Sequence, residues 1–150
     1  MSAERLSFDA LTPGRRFVSH RRTLTETDHQ LFMMLVADWS PLHADAGSAG
    51  ERGRMMHGSL GVALALGMQT TALEFADPMI AALGLDSWRF KAPLHVGDTV
   101  YVEVEIIDRR ITSGGDKYVL RRALRLLRSD GTVCQDGETA ALLSLPKPVQ

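Results

Sequence analysis

Ser59-Leu60-Gly61-Val62-Ala63-Leu64-Ala65-Leu66-Gly67-Met68-Gln69-Thr70-Thr71-Ala72-Leu73-Glu74-Phe75 sets the architecture of this chain. Its first half is apolar nearly all round, not along one stripe, which marks a helix buried on several sides. Asp77-Pro78 is expected to close it. Gly61 and Gly67 cost helix propensity, ~1 kcal/mol each relative to Ala, and close packing against another surface would offset that cost. Downstream the period changes to two. Val100, Val102, Val104 and Ile106 alternate with Tyr101, Glu103 and Glu105, a strand with one buried face. Ser113-Gly114-Gly115-Asp116 and Ser129-Asp130-Gly131 read as hairpin turns. Tyr118 to Leu127 and Thr132 to Ser144 are therefore strands, and Leu85 to Phe90 is a shorter one before Pro93. The pattern predicts the α+β class: a buried central helix followed by an antiparallel meander. A sheet curled round the helix is the arrangement that covers it on all sides.

Upstream of the helix the signals are local. Met1 to Leu11 reads as a loose lead-in and Thr12-Pro13-Gly14 as a turn. Arg16 to Leu24 reads as one strand with an exposed, basic remainder. Thr25 fits a helix cap with Asp28 at the third helical position. Leu31, Met34 and Leu35 follow at i, i+3, i+4 spacing and predict an amphipathic helix that ends just after Asp38. Ala44 to Met56, with Gly47, Ser48, Gly50 and Gly53, reads as a loop with at most one helical turn.

Composition narrows the class. The 150 residues predict one domain, 1–150, large enough for a core. Seventeen basic against 18 acidic residues, a formal net charge of -1, argue against a nucleic-acid partner. Cys134 is the single cysteine, so no internal disulfide forms, and no Cys/His metal spacing exists. The cytoplasm is the expected compartment. Met1-Ser2-Ala3-Glu4-Arg5 leads into no apolar region of the secretory type, and Leu60 to Leu66 is too short to span a bilayer.

Asp38-Trp39-Ser40-Pro41-Leu42-His43 carries the candidate chemistry. Residues i and i+5 on an unbroken helix point about 140° apart, from ~3.6 residues per turn. Pro41 forbids that helix and pushes Ser40 out of the α region, so a bend can swing Asp38 and His43 into one cavity. His43, with an ordinary pKa of ~6.5, exchanges protons near neutrality. His57-Gly58-Ser59 opens the main helix, where backbone N–H groups lie free at the positive end of the dipole. The Gly58 N–H is a candidate oxyanion donor. Each residue also has a plain structural reading: Asp38 as a loop carboxylate, His57 as a loop support, Gly58 as a close-packing glycine.

In order along the chain these segments resemble the MaoC-like dehydratases and (R)-specific enoyl-CoA hydratases. The family pattern Gly-Asp-x-Asn-Pro-x-His appears as Ala37-Asp38-Trp39-Ser40-Pro41-Leu42-His43, followed by His57-Gly58. A third motif, Phe-x-x-Pro-x-x-x-Gly-Asp, appears as Phe90-Lys91-Ala92-Pro93-Leu94-His95-Val96-Gly97-Asp98. The resemblance implies a hotdog fold and an acyl-CoA thioester substrate, with no cofactor or metal. It assigns Asp38 and His43 to one catalytic water, with Gly58 stabilising the thioester oxygen. Ser40, Met55, Met56, His57 and Ser59 are the expected substrate contacts. A homodimer, or a higher oligomer built from it, is implied by edge-to-edge pairing of two sheets, with no nucleic acid or membrane partner. Three positions depart from the pattern: Ser40 stands for Asn, Ala37 for Gly, and Leu66 for a serine common in the helix.

Two other readings compete with a hydratase. A thioester hydrolase on the same fold would aim a carboxylate at the carbonyl. A non-catalytic acyl-CoA-binding module would be favoured by loss of Asp38 or His43, and both are present. The remaining histidines, His20, His29 and His95, are expected at solvated positions. Arg121, Arg122, Arg125 and Arg128 are expected on solvated strand faces, Cys134 as a structural residue, and Met33, Met34, Met55, Met56 and Met68 as core residues.

Overall fold

The two glycine turns organise the second half of the chain. Gly115 and Gly131 adopt positive φ of 72° and 85°, which an L side chain resists and glycine does not. They fold three long strands into a meander: β6 (Thr99–Ile111), β7 (Lys117–Arg128) and β8 (Val133–Ser144). The computed structural model describes residues 4–145. Before the meander come β1 (Glu4–Leu6), β2 (Arg16–Val18), β3 (Arg22–Thr23), α1 (Glu26–Val36), α2 (Pro41–Ala44), α3 (Gly58–Met68), β4 (Leu73–Phe75) and β5 (Met79–Phe90). The main sheet runs β2-β6-β7-β8-β5, with β3 also on β6, and every pairing in it is antiparallel.

Alternation along β6 works as expected: Val100, Val102, Val104 and Ile106 are fully buried. With Leu120, Leu124 and Leu126 they form the inner face, on which Leu60, Leu64 and Ala65 of α3 pack. This sheet wrapped round a helix is the hotdog fold. Among the described residues, however, α3 is not covered on every side. Ser59, Ala63 and Gly67, four residues apart, form an exposed stripe.

Several expected boundaries move. The main helix stops at Met68, tightens into a 3-10 turn at Gln69–Thr71, and gives way to β4. The Thr70 and Thr71 hydroxyls donate to the carbonyls of Gly67 and Met68, satisfying groups that a continuing helix would have used. β4 instead pairs in parallel with β1. Met1 to Leu11 is thus no loose lead-in over its described part: it holds β1, and Leu6 and Leu11 are core residues. Arg16 to Leu24 is broken into β2 and β3 at Ser19–Arg21, where the Ser19 hydroxyl accepts the Val102 N–H. β5 starts six residues earlier than Leu85 and carries three register irregularities.

The start of α1 is the expected capping box, with Thr25 and Asp28 each accepting the other's backbone N–H. Its buried face is not the expected one. Leu31, Met34 and Leu35 point outward, 61%, 63% and 81% exposed, while His29 and Met33 are buried and Phe32 is half-buried. His29, Phe32 and Met33 share the same i, i+3, i+4 spacing on the opposite side, so the period was right and the phase wrong. Both faces are apolar, and only tertiary contacts choose between them.

Candidate active site

The bend at Pro41 is built in three steps. α1 ends at Val36, and Ala37 takes the left-handed conformation at φ 55°. The family glycine would hold that shape without strain, so Ala37 keeps a conformation suited to Gly. Asp38 Oδ1 then accepts the backbone N–H of Ser40 at 3.1 Å. Pro41 opens α2 at its first position, where a missing N–H costs nothing. His43 is the third residue of that short helix.

The bend brings Asp38, His43 and His57 together. Asp38 Oδ2 lies 3.7 Å from His43 Nε2 and 3.4 Å from His57 Nε2. The two imidazoles stack, centroids 3.7 Å apart at 26°, with Phe32 tilted against His57. Backbone carbonyls set the tautomers, because a carbonyl only accepts. His43 Nδ1–H donates to Met55 O at 2.6 Å, which leaves the Nε2 lone pair facing Asp38. His57 Nε2–H donates to the Asp38 carbonyl at 3.1 Å. His29 Nε2–H donates to the His43 carbonyl at 2.9 Å from beneath.

Asp38 is the open side of this cluster, with 48% of its side chain exposed against 10% for His43 and 4% for His57. The Ser40 N–H, and beyond it the positive fields of the two histidines, hold the Asp38 carboxyl below the usual carboxylate range. Burial is the main reason that His57 lies below the ordinary imidazole value. At neutral pH the arrangement is therefore a carboxylate beside a neutral His57. The Asp38, His43 and His57 donor atoms lie within 4.8 Å of one another. The Nε2 of His57, the nitrogen nearest Asp38, carries a proton directed at a carbonyl and in this tautomer offers no lone pair to an ion.

Gly58 begins α3 with His57 as its cap. A Cβ on Gly58 would stand 2.8 Å from the Phe90 ring, so the glycine is a close-packing residue as well as the first N–H of the helix. Beside it lies a cleft of about 300 Å³ walled by Met55, Met56, His57, Gly58, Phe90 and Gln135, among others. Met56 is also a core residue. Asp38, His43, Ser40 and Ser59 are not among the walls. Ser40 and Ser59 are exposed, and Ser40 touches the site through its backbone bond to Asp38.

Three expectations fail here. His29 and His95, expected in solvent, are 0% and 8% exposed. His29 became buried with the unexpected face of α1. His95 is drawn in by a bridge between Met55 and His95. Arg122, expected on a solvated face, is buried on the core side of β7. It donates to Gln69 Oε1 at 2.6 Å, lies over the Phe75 ring, and burial pushes its pKa down to about 10. Arg121 and Arg125 do face outward, paired with Glu138 and Glu103. Gln135, which bonds the start of α3, and Trp88, which bonds Gln135, belong to none of the motifs. The signal that could have found them is a glycine inside each neighbouring regular element, Gly61 in the helix and Gly137 in β8.

Residues 9–123 match the family model of the MaoC like domain. The Klebsiella aerogenes protein MaoC is 34% identical over 100 residues, which are 65% of this chain and 29% of that relative's length. The mitochondrial 3-hydroxyacyl-acyl-carrier-protein dehydratase FERN of Solanum lycopersicum is 28% identical over 125 residues, 81% of this chain and 72% of the relative. Among solved structures, the unliganded R-hydratase PhaJ1 of Pseudomonas aeruginosa superposes with a TM-score of 0.73 at 27% identity, covering 93% of this chain and 85% of that one.

Proposed function

The chain belongs to the MaoC-like domain family, a family of hydratases and dehydratases, and from that premise we propose that it adds water reversibly to a trans-2-enoyl-CoA to give a (R)-3-hydroxyacyl-CoA. One observation carries the reading: Asp38 Oδ2 faces the free Nε2 of His43 across 3.7 Å. That gap is too long for a direct hydrogen bond and suits a water held by both. The water oxygen bonds to the β-carbon while Asp38 and His43 take up its proton. The C=C π electrons move onto the thioester oxygen as an enolate and return to form the Cα–H bond with the proton that the Asp38–His43 pair took from the water, so that one water is added in balance. Charge builds on the thioester oxygen, and in this reading the Gly58 N–H at the start of α3 stabilises it. His57 holds the Asp38 carbonyl, and Met55 and Met56 wall the cleft offered to the acyl chain. Ser40 and Ser59 are peripheral contacts in this scheme.

The enzyme is proposed as a single domain that works as a homodimer. The lone buried thiol of Cys134 favours the cytoplasm. Among the described residues no helix is long and apolar enough to cross a membrane.

Crotonyl-CoA tests the reading. Hydration removes the enoyl absorbance without releasing thiol. Hydrolysis releases thiol, and an acyl-CoA-binding module does neither. Asp38→Asn and His43→Gln should each lower hydration by about 10²–10⁴-fold, the usual contribution of a general acid–base group. The double variant should lose little more than either single one, because the two share one water. Near-normal turnover of a folded single variant, judged by circular dichroism, removes the pair from catalysis.

A further inference from the structure

We propose that Gln135, held by Trp88, is a positioning residue that aims the first N–H groups of α3 at the substrate's thioester oxygen. The proposal rests on the hydratase reading above and concerns the same site.

Gln135 is 2% exposed at the start of β8, and both ends of its amide are engaged. Its Nε2–H donates to the Gly58 carbonyl at 2.9 Å, and its Oε1 accepts the Trp88 indole N–H at 3.0 Å. The Gly58 carbonyl lies in the same peptide plane as the Ser59 N–H. Fixing the carbonyl therefore fixes that donor and the turn that carries the Gly58 N–H. On the other flank the His57 ring is tied to the Asp38 carbonyl. The helix start is thereby clamped between the Asp38 loop and β8.

The surrounding sequence is shaped to admit this relay. A Cβ on Gly61 would stand 2.0 Å from Gln135 Nε2, and one on Gly137 would stand 2.5 Å from Trp88 Cε3 and 2.9 Å from the Trp88 backbone. Two glycines inside regular elements therefore clear the path of one hydrogen-bonded chain. β5 breaks register between Asp86 and Arg89, and Ser87 there takes a left-handed φ of 52°, rare for a non-glycine residue. Trp88, next in the chain, is partly buried against the core. A space-filling role alone would need neither the polar amide nor its two partners. Gln135 also walls the cleft beside Gly58.

Gln135→Met keeps the volume and removes both bonds. Gln135→Glu keeps the acceptor for Trp88 and removes the donor to Gly58. Both should lower kcat for crotonyl-CoA hydration by about 10-fold or more, within the ~10²–10³-fold that loss of an oxyanion donor itself causes, with KM changed less than about threefold. Trp88→Phe should lower kcat in the same direction by less, and Gln135→Met with Trp88→Phe should lose no more than Gln135→Met alone. Amide hydrogen exchange supplies a readout independent of turnover: it should quicken across Met56–Leu60 in Gln135→Met. Unchanged exchange there, or quickened exchange with unchanged kcat, overturns the proposal. So does a fall in thermal stability with kcat and KM intact, which is what a purely structural residue would give. If the parent protein hydrates nothing, the hydratase reading fails, and unaltered exchange in Gln135→Met then rejects the clamp separately.

Discussion

At the scale of single residues, the site runs on which nitrogen carries a proton. His43 presents the lone pair of its Nε2 toward Asp38 because its Nδ1–H is donated to the Met55 carbonyl, and no motif records that carbonyl. His57 and His95 both lie below the ordinary imidazole pKa, chiefly because burial penalises their charged forms. In the unfolded chain both return to ~6.5. Below that pH the unfolded state binds protons that the folded state refuses. The stability tied to these two residues is therefore complete above ~6.5 and is lost as pH falls toward their lowered folded values. The thermal midpoint should hold from pH 8 to 7 and decline between pH 6.5 and 5, and a His57→Gln/His95→Gln protein should show a flatter profile. Scanning fluorimetry across that range checks this; an identical slope in the double variant would mean that other groups govern it. Asp38, lowered by its Ser40 bond, acts in a separate and more acidic window.

At the scale of elements, α3 shows why its two glycines are not equivalent. Gly61 leaves room for Gln135, whereas a Cβ at Gly67 meets nothing within 4 Å among the described residues. The expectation that close packing explains both glycines holds for the first only. Gly61→Ala should cost about 1–3 kcal/mol, because overpacking outweighs the helix propensity gained, ~1 kcal/mol. Gly67→Ala should gain about 0.5–1 kcal/mol from propensity and reduced unfolded-state freedom. Urea unfolding of the two variants decides the matter, and a stabilised Gly61→Ala would show that Gln135 yields easily. α1 carries the same lesson about phase. Two apolar faces of equal period were present, and the bond from His29 to the His43 carbonyl belongs to the face that was chosen.

At the scale of the whole molecule, β5 is an edge strand with no partner on its outer side among the described residues. Met79, Ile80, Leu83, Leu85 and Phe90 along it are 43–64% exposed, an apolar and unprotected edge of the kind that proteins cover. Pairing with β5 of a second copy would continue the sheet and bury these side chains beside the cleft that Phe90 helps to wall. Light scattering should give the mass of two chains or a multiple of it, and Leu83→Arg with Leu85→Arg should shift the protein toward one chain. A parent protein that is a single active chain at micromolar dilution would refute the pairing.

The sequence by itself determined what local rules control. The alternation of β6, the glycine turns on either side of β7, the capping box at Thr25 and the break at Pro41 are short-range facts, and all appear in the structure. So does the order of Asp38, His43, His57 and Gly58 along the path into α3. Tertiary structure alone decided the pairing of β1 with β4, more than sixty residues apart in sequence, which ended α3 early and turned the lead-in into core. It also decided which face of α1 is inside, why Arg122 is buried, and that Gln135 reaches Gly58 across 77 positions. The reason is physical. A turn or a cap is stabilised by atoms a few residues away, so its residues announce it. A buried amide or imidazole is stabilised by whatever carbonyl the fold brings to it, and nothing in its own neighbourhood in the chain names that carbonyl.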